Sequence, residues 1–264
     1  MTTQSKTGVA RRVQRQISGK SPELSVLRLR NCANRVSRFG VTAPRAWGLT
    51  KSTMFSLQKI FGKDDRFFDL LEASAEESRL SVQALIRALS APQQVPGMTE
   101  FHRAKEADKK ITEQINEALM TTFVSQLERE DIEVLSASLY KIPKTVEKFA
   151  ERLTISAPVV SKTDFSRHTA LLDAATIRVM EIVKLPRGIG SGQLDKAKEI
   201  NGRLQQIESE ADKFILEILK DLYSGKYDAT QVLALKDLFE LLEKVVDRCR
   251  DTGNIVVHIV LKNS

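Results

Sequence analysis

The stretch that decides the fold is Leu235–Cys249, which reads LKDLFELLEKVVDRC. Its apolar residues recur at intervals of three and four, which places them on one face of an α-helix. They are Leu235, Leu238, Phe239, Leu242, Val246 and Cys249. Glu243 and Asp247 lie one helical turn apart at the edge of that face. The pattern therefore predicts a long amphipathic helix with two carboxylates beside its buried stripe.

The same helical period extends outward from this stretch as far back as about residue 64. Six helices are predicted, spanning about 65–89, 99–127, 129–153, 164–184, 194–223 and 230–261. Pro143 should kink the third helix, and Pro158 indicates a linker over 154–162. No β-hairpin signal interrupts the series. The prediction is an all-α fold in which two tandem three-helix units form an elongated bundle.

A repeated motif supports the division into two units. The residues Glu106–Lys109 read EADK, and EADK returns at Glu210–Lys213, 104 positions later. Leu139 in the third predicted helix likewise corresponds to Leu242 in the sixth, 103 positions later. We therefore predict a first half over 54–153 and a second half over 164–264, which together form one domain.

The positive charge of the chain is concentrated at its start. Residues 1–51 contain eleven Lys or Arg and one acidic residue, a net charge of +10, whereas the remainder contains 30 basic and 33 acidic residues. The segment 1–53 shows no helical period and is predicted to be disordered and dispensable. Its composition also resembles a transit peptide, and an upstream extension outside the native protein is a further interpretation.

Five motifs from Met54 onward carry a family resemblance. They are Phe55–Phe61, Phe67–Leu71, Arg129–Ile132, Ile207–Asp212 and Leu235–Glu243. In order and spacing they resemble the PhoU-like regulators of phosphate transport, in particular the branch associated with the Pit-type inorganic phosphate transporter. The resemblance implies a regulatory protein that binds a phosphate transporter at the membrane, with a homo-oligomer left open.

The resemblance also implies a metal site, because PhoU-like halves carry Glu/Asp-x-x-x-Asp motifs that bind clustered metal ions. The matching residues here are Glu208, Asp212, Glu243 and Asp247. The first half retains only Asp108 and has Ala104, Tyr140 and Lys144 at the other matching positions. Metal binding is therefore predicted for the second half alone. In the first half Lys144 is expected either to face Asp108 in place of a metal or to point into solvent.

The spacing of the four acids in the second half also favours a metal site. Carboxylates spaced by four residues share one helical face and repel each other. If the two helices pack antiparallel, four carboxylates would converge beside the core, and such a cluster needs cations. An all-carboxylate set suits Mg²⁺, Mn²⁺ or iron, and Zn²⁺ is compatible. The alternative is that these acids are simply solvated.

No catalytic constellation is predicted, so the chain is interpreted as not an enzyme. No histidine lies three residues after a glutamate, which argues against a di-iron bundle, and the glycines at 188–192 do not form a phosphate-binding loop. The histidines, His102, His168 and His258, are predicted to be surface or edge residues.

Cellular location and competing functions follow from composition. Two cysteines and the lack of an apolar span predict a protein of the cytoplasm, or one peripheral to the inner face of the membrane. A helical adaptor that binds no metal is one alternative function. The other is a binder of nucleic acid or anionic membranes through the basic segment, although nucleic acid is not favoured because the folded part is acidic.

Overall fold

The computed structural model describes residues 52–90, 97–122, 125–160, 163–188 and 192–264. Over these ranges it contains six α-helices, one short 3-10 turn and no strand, so the predicted all-α fold is confirmed. The helices are α1 (Ser52–Ser90), α2 (Met98–Thr121), α3 (Arg129–Val160), α4 (Ser166–Ile182), α5 (Gln193–Leu222) and α6 (Ala229–Lys262), with the 3-10 turn at Leu185–Gly188. The predicted disordered segment 1–53 lies outside the described residues except for its last two, which begin α1.

Three helix boundaries differ from the sequence prediction by more than one helical turn, and one of them is the end of α2, which lies at Thr121 rather than near residue 127. Helix α1 begins at Ser52 rather than near residue 65. Helix α3 continues through Pro143 and Pro158 to Val160, so the predicted linker from residue 154 is wrong over most of its length. Pro143 and Val160 are both buried, and packing of this face onto the core offsets the local cost of the prolines.

The helices pack as two groups of three. Helices α1, α2 and α3 contact one another, as do α4, α5 and α6, and the groups meet where α3 packs on α6 and α1 packs on α4. Between α3 and α6 the buried hydroxyls of Ser138 and Thr252 are hydrogen-bonded at 2.8 Å. This arrangement accommodates the predicted halves, but whether one half superposes on the other stays a prediction.

Helices α5 and α6, which carry the predicted metal ligands, pack closely at Gly253. A Cβ atom on Gly253 would lie 2.5 Å from Asn201 Oδ1 and 2.6 Å from Leu204 Cδ1, which is closer than atoms tolerate. Asn201 also donates a hydrogen bond of 2.9 Å to Asn254. Glycine at 253 therefore lets the two helices approach each other closely at this point.

The second half is closed at its other end by aromatic side chains. Phe165 contacts Phe149 with ring centres 5.8 Å apart and Phe239 with ring centres 5.2 Å apart. All three rings are buried. This cluster joins α3 and the start of α4 to α6, so it packs the two halves against each other. No described helix is long and apolar enough to cross a membrane.

Candidate metal site and its counterpart in the first half

Helices α5 and α6 carry the four predicted ligands on adjoining faces. Glu208 and Asp212 lie on α5, and Glu243 and Asp247 lie on α6. Asp212 is exposed and the other three are partly buried. Asp212 and Glu243 line a cleft of about 600 Å³ between the two helices, which opens to solvent. The predicted acids therefore lie at the accessible edge of the core, as their sequence spacing indicates.

The pKa values show that these acids act on one another. Burial raises the pKa of Glu243 to about 7, and the charges of Asp247, Asp212 and Glu208 add to that rise. Burial also raises the pKa of Glu208, and Asp212 and Asp247 again contribute. Like charges that disfavour each other's ionisation must be close together. The four predicted ligands thus share one electrostatic environment.

Arg250, which the sequence analysis did not single out, is the cation of this cluster. Its guanidinium pairs with Asp247 and lies 3.5 Å from Glu208 Oε1 and 3.6 Å from Asp251 Oδ1. Its Nε atom is buried and has no hydrogen-bond partner in the described part of the chain. The arginine therefore neutralises one side of the cluster, while the Glu243 side keeps an excess of negative charge.

The four carboxylates are suitable metal ligands, but Arg250 already contacts two of them. Carboxylates are the ligands that Mg²⁺, Mn²⁺ and iron accept. Within the described ranges, however, no three His, Cys, Asp or Glu side chains are gathered closely enough to hold a metal ion as they stand. A metal at this site would have to take Asp247 and Glu208 from Arg250.

The first half does not pair Asp108 with Lys144. Asp108 is fully buried, and neither of its carboxyl oxygens has a hydrogen-bond partner among the described residues. Burial raises its pKa to about 7, the Ser74 hydroxyl partly opposes that rise, and the charge of Glu77 adds to it. Lys144 is exposed, with Nζ 5.8 Å from the centre of the Tyr140 ring. The expectation that Lys144 replaces a metal beside Asp108 is therefore wrong.

A buried ion pair of the first half involves Glu147. This glutamate of α3 is buried, and its two oxygens lie 2.5 Å from His102 Nδ1 and 2.8 Å from Lys105 Nζ, both on α2. The hydrogen bond to Glu147 is the main cause of the raised pKa of Lys105. Glu147 follows Lys144 by three residues, just as Arg250 follows Asp247, and that spacing was the signal available in the sequence.

His168 is not a surface or edge residue, and that prediction is wrong. Its ring is buried between Phe214 and Phe239, with ring centres 4.5 and 5.0 Å away. Neither ring nitrogen has a hydrogen-bond partner in the described structure. Burial lowers the pKa of His168 to about 4, helped by the charge of Arg167. The neutral imidazole therefore packs as an aromatic core residue.

This chain is similar in sequence to known proteins. The chain matches no protein-family model. It is 25% identical over 222 residues to the "Putative pit accessory protein" of Rhizobium meliloti (strain 1021), which covers 78% of this chain and 97% of that protein. It is 22% identical over 146 residues to "UPF0111 protein YkaA" of Bacillus subtilis (strain 168), which covers 55% of this chain and 70% of that protein.

Two crystal structures from Shewanella oneidensis MR-1 share the architecture. One is described as a putative PhoU-like phosphate regulatory protein and the other as a PhoU-like protein. They match with TM-scores of 0.58 and 0.57 at 14% sequence identity, over 74% of this chain and 99% of each of theirs. The fold is PhoU-like. The resemblance predicted from the sequence motifs is thereby confirmed.

Within this PhoU-like fold the long side chains were the hardest to predict. The helical period was sufficient to place Glu208 and Asp212 on one edge of α5, and Glu243 and Asp247 on one edge of α6. It did not show that Arg250 reaches back along α6 to Asp247 and across to Glu208, because that depends on how closely α5 approaches. The acids are set by helix geometry, and their counter-ion is set by tertiary packing.

Proposed function

We propose that this chain is an accessory protein of inorganic phosphate transport that acts by binding a transporter and is regulated through metal binding at its second half. The observation that carries the proposal is the acidic cluster at α5 and α6, where four carboxylates share one environment and burial raises the pKa of Glu243 to about 7. The similarity to the pit accessory protein, which extends over 78% of this chain, supports the transport role.

Glu208, Asp212, Glu243 and Asp247 would hold the metal. A bound divalent or trivalent ion, whether iron, Zn²⁺, Mg²⁺ or Mn²⁺, would supply the positive charge that the Glu243 side of the cluster lacks. Because two ligands lie on α5 and two on α6, the ion would tie the helices together. Arg250 would lose its contacts to Asp247 and Glu208, so metal and arginine compete for the same oxygens.

The proposed role is regulatory rather than catalytic, and its location is the cytoplasmic face of the membrane. The partner is an integral phosphate transporter, in line with the name of the Rhizobium meliloti relative. None of the described helices could cross a membrane, and in this proposal the bundle reaches the membrane through that transporter. Self-association of the chain is compatible with this role.

Phosphate uptake tests the transport role. Cells that lack the gene should show altered uptake across limiting and replete phosphate, and the wild-type chain should restore it. A Glu243→Gln and Asp247→Asn double variant should fold but fail to restore uptake if metal binding matters to the role. The transport proposal is rejected if deletion leaves the uptake curve unchanged at every phosphate concentration.

A second candidate is a helical adaptor that binds no metal, and Arg250 favours it. The guanidinium already neutralises Asp247 and approaches Glu208 and Asp251. For this adaptor the cluster would serve only to fasten α5 to α6. The Glu243→Gln and Asp247→Asn variant would then restore uptake as well as the wild type does.

The interpretation as a nucleic-acid or membrane binder concerns residues 1–53, almost all of which lie outside the described ranges.

A further inference from the structure

A second cleft, which none of the four predicted metal ligands lines, carries an excess of positive charge. It lies between α1, the end of α4 and the first turns of α5, and its volume is about 880 Å³. That volume is within the range of small-molecule sites. Several charged side chains line the cleft, and their pairing decides what it can bind.

Two ion pairs in the cleft are self-contained. Arg178 donates to Glu181 at 2.5 Å, and Arg203 donates to Glu199 at 2.7 Å. Both pairs lie within a single helix or its end, at spacings of three and four residues. These four side chains therefore neutralise one another and leave the net charge of the cleft to the remaining residues.

Three cations of the cleft have no ion-pair partner among the described residues. They are Arg79 on α1, Lys184 after the end of α4 and Lys196 on α5. Glu76 is the one acid of the lining that is likewise unpaired there. The unpaired charge is therefore +2, and it comes from three separate elements of the fold rather than from one basic helix face.

The start of α5 adds to this positive environment. Gln193, the first residue of the helix, lines the cleft, and Gly192 before it provides no side-chain cap. The dipole of this 30-residue helix favours an anion at its N-terminal end, where Asp195 already supplies one carboxylate in the first turn. The remainder of the chain after residue 51 has 30 basic and 33 acidic residues, so the cleft is basic against an acidic background.

We propose that this cleft binds a small oligophosphate anion such as tripolyphosphate or the phosphate chain of a nucleotide. Arg79, Lys184 and Lys196 line it from three separate elements, which suits a chain of several phosphate groups better than a single phosphate ion. Ammonium and guanidinium groups both hold phosphate oxygens through charge-assisted hydrogen bonds. The proposal does not rest on the transport role or on metal binding.

Calorimetric titration of the full chain with sodium tripolyphosphate, in metal-free buffer, tests the site. Wild-type protein should bind, and the Lys184→Ala and Lys196→Ala double variant should bind at least tenfold more weakly. Lys198→Ala is the matched control, because Lys198 is an exposed lysine of the same helix that does not line the cleft. Its affinity should stay within twofold of the wild type.

Hydrogen exchange separates the cleft from the basic segment 1–51, which attracts any polyanion through its charge. Tripolyphosphate should slow exchange of the amides at 193–199 in the wild type and not in the double variant. Unchanged exchange at these amides, or equal affinity of the double variant and the wild type, would overturn the proposal. Orthophosphate that binds and protects as strongly as tripolyphosphate would overturn the assignment to oligophosphates.

Discussion

The two halves place opposite charges at matching positions of their helix pairs. At the offsets of the predicted repeat, Glu147 of α3 corresponds to Arg250 of α6. In the first half a single buried acid is held by Lys105 and His102 from α2, whereas in the second half a single arginine lies among several acids. Glu147 is therefore paired within the first half, whereas the acids of the second half outnumber their arginine and retain the capacity to accept a cation.

Asp108 and Asp212 occupy corresponding positions of the predicted repeat but differ in their surroundings. Asp212 is exposed beside a cleft, but Asp108 is fully buried and unpartnered in the described structure. Asp212, the acid that a metal could reach, occurs together with the other three matching acids of the second half. The other is kept in an apolar interior where burial raises its pKa to about 7. Four substitutions should separate these environments by their effects on stability.

The largest effect is expected at the completed ion pair of the first half. Lys105→Ala should lower the free energy of unfolding by about 2–4 kcal/mol, because it leaves the buried Glu147 carboxylate with His102 alone. Arg152→Ala is the control, since Arg152 and Asp237 are both half exposed and 3.6 Å apart. It should cost about 0–1 kcal/mol by urea unfolding. Similar losses in the two variants would show that Glu147 is not dependent on its partner.

Asp108→Asn should stabilise the protein at pH 8 by about 2–3 kcal/mol. The pKa of Asp108 is raised from 3.8 to about 7, so between these values the folded chain holds a proton that the unfolded chain has lost. The stability contributed by this group therefore falls as pH rises through that window. Urea unfolding at pH 5 and pH 8 should show a larger gain at pH 8. A variant that is less stable than the wild type at pH 8 would contradict the burial of an ionisable carboxyl.

His168 should give the opposite pH dependence, with an effect of about 1–2 kcal/mol between pH 7 and pH 5. Its pKa is lowered from 6.5 to about 4, so in that window the unfolded chain takes up a proton that the folded chain does not. Stability from this group is lost as pH falls from 6.5 towards 4. His168→Phe should remove that loss, and His258→Phe, at an exposed position of α6, is the control. An unchanged slope in His168→Phe would show that the ring is not buried.

Lys144→Ala should have the smallest effect, within about 0–1 kcal/mol. Lys144 is exposed and its nearest recorded interaction is the Tyr140 ring, with Nζ 5.8 Å from the ring centre. A loss comparable to that of Lys105→Ala in the same unfolding experiment would show that Lys144 does face Asp108. That result would restore the tethered-cation hypothesis for the first half.

The sequence was sufficient for the helices and insufficient for their ends. Apolar stripes such as Leu235, Leu238 and Leu242 predict a helix from period alone, because each turn must bury the same face. Pro158 indicated a helix end, yet α3 continues to the buried Val160. Tertiary packing decides such cases, and no local pattern reports it.

The candidate site, like the fold, could be predicted from the sequence only in part. Spacing was sufficient to place the four acids on two helix edges, and motif order was sufficient to predict a PhoU-like fold. His168 could have been assigned to the core, since it precedes the buried Leu171 and Leu172 by three and four residues. The reach of Arg250 could not be predicted, because it depends on the α5–α6 approach that Gly253 permits.

Metal content after loading and dialysis tests the central claim, that the second half alone binds metal through its four acids. The wild-type chain, loaded with Mn²⁺ or iron and measured by mass spectrometry of the metal, should retain it, and so should Asp108→Ala. Asp212→Ala combined with Asp247→Ala should lose it, while Arg250→Gln should bind about tenfold more tightly because the competing cation is gone. A wild-type chain that retains no metal under replete conditions, or a double variant that retains as much as the wild type, would contradict the account.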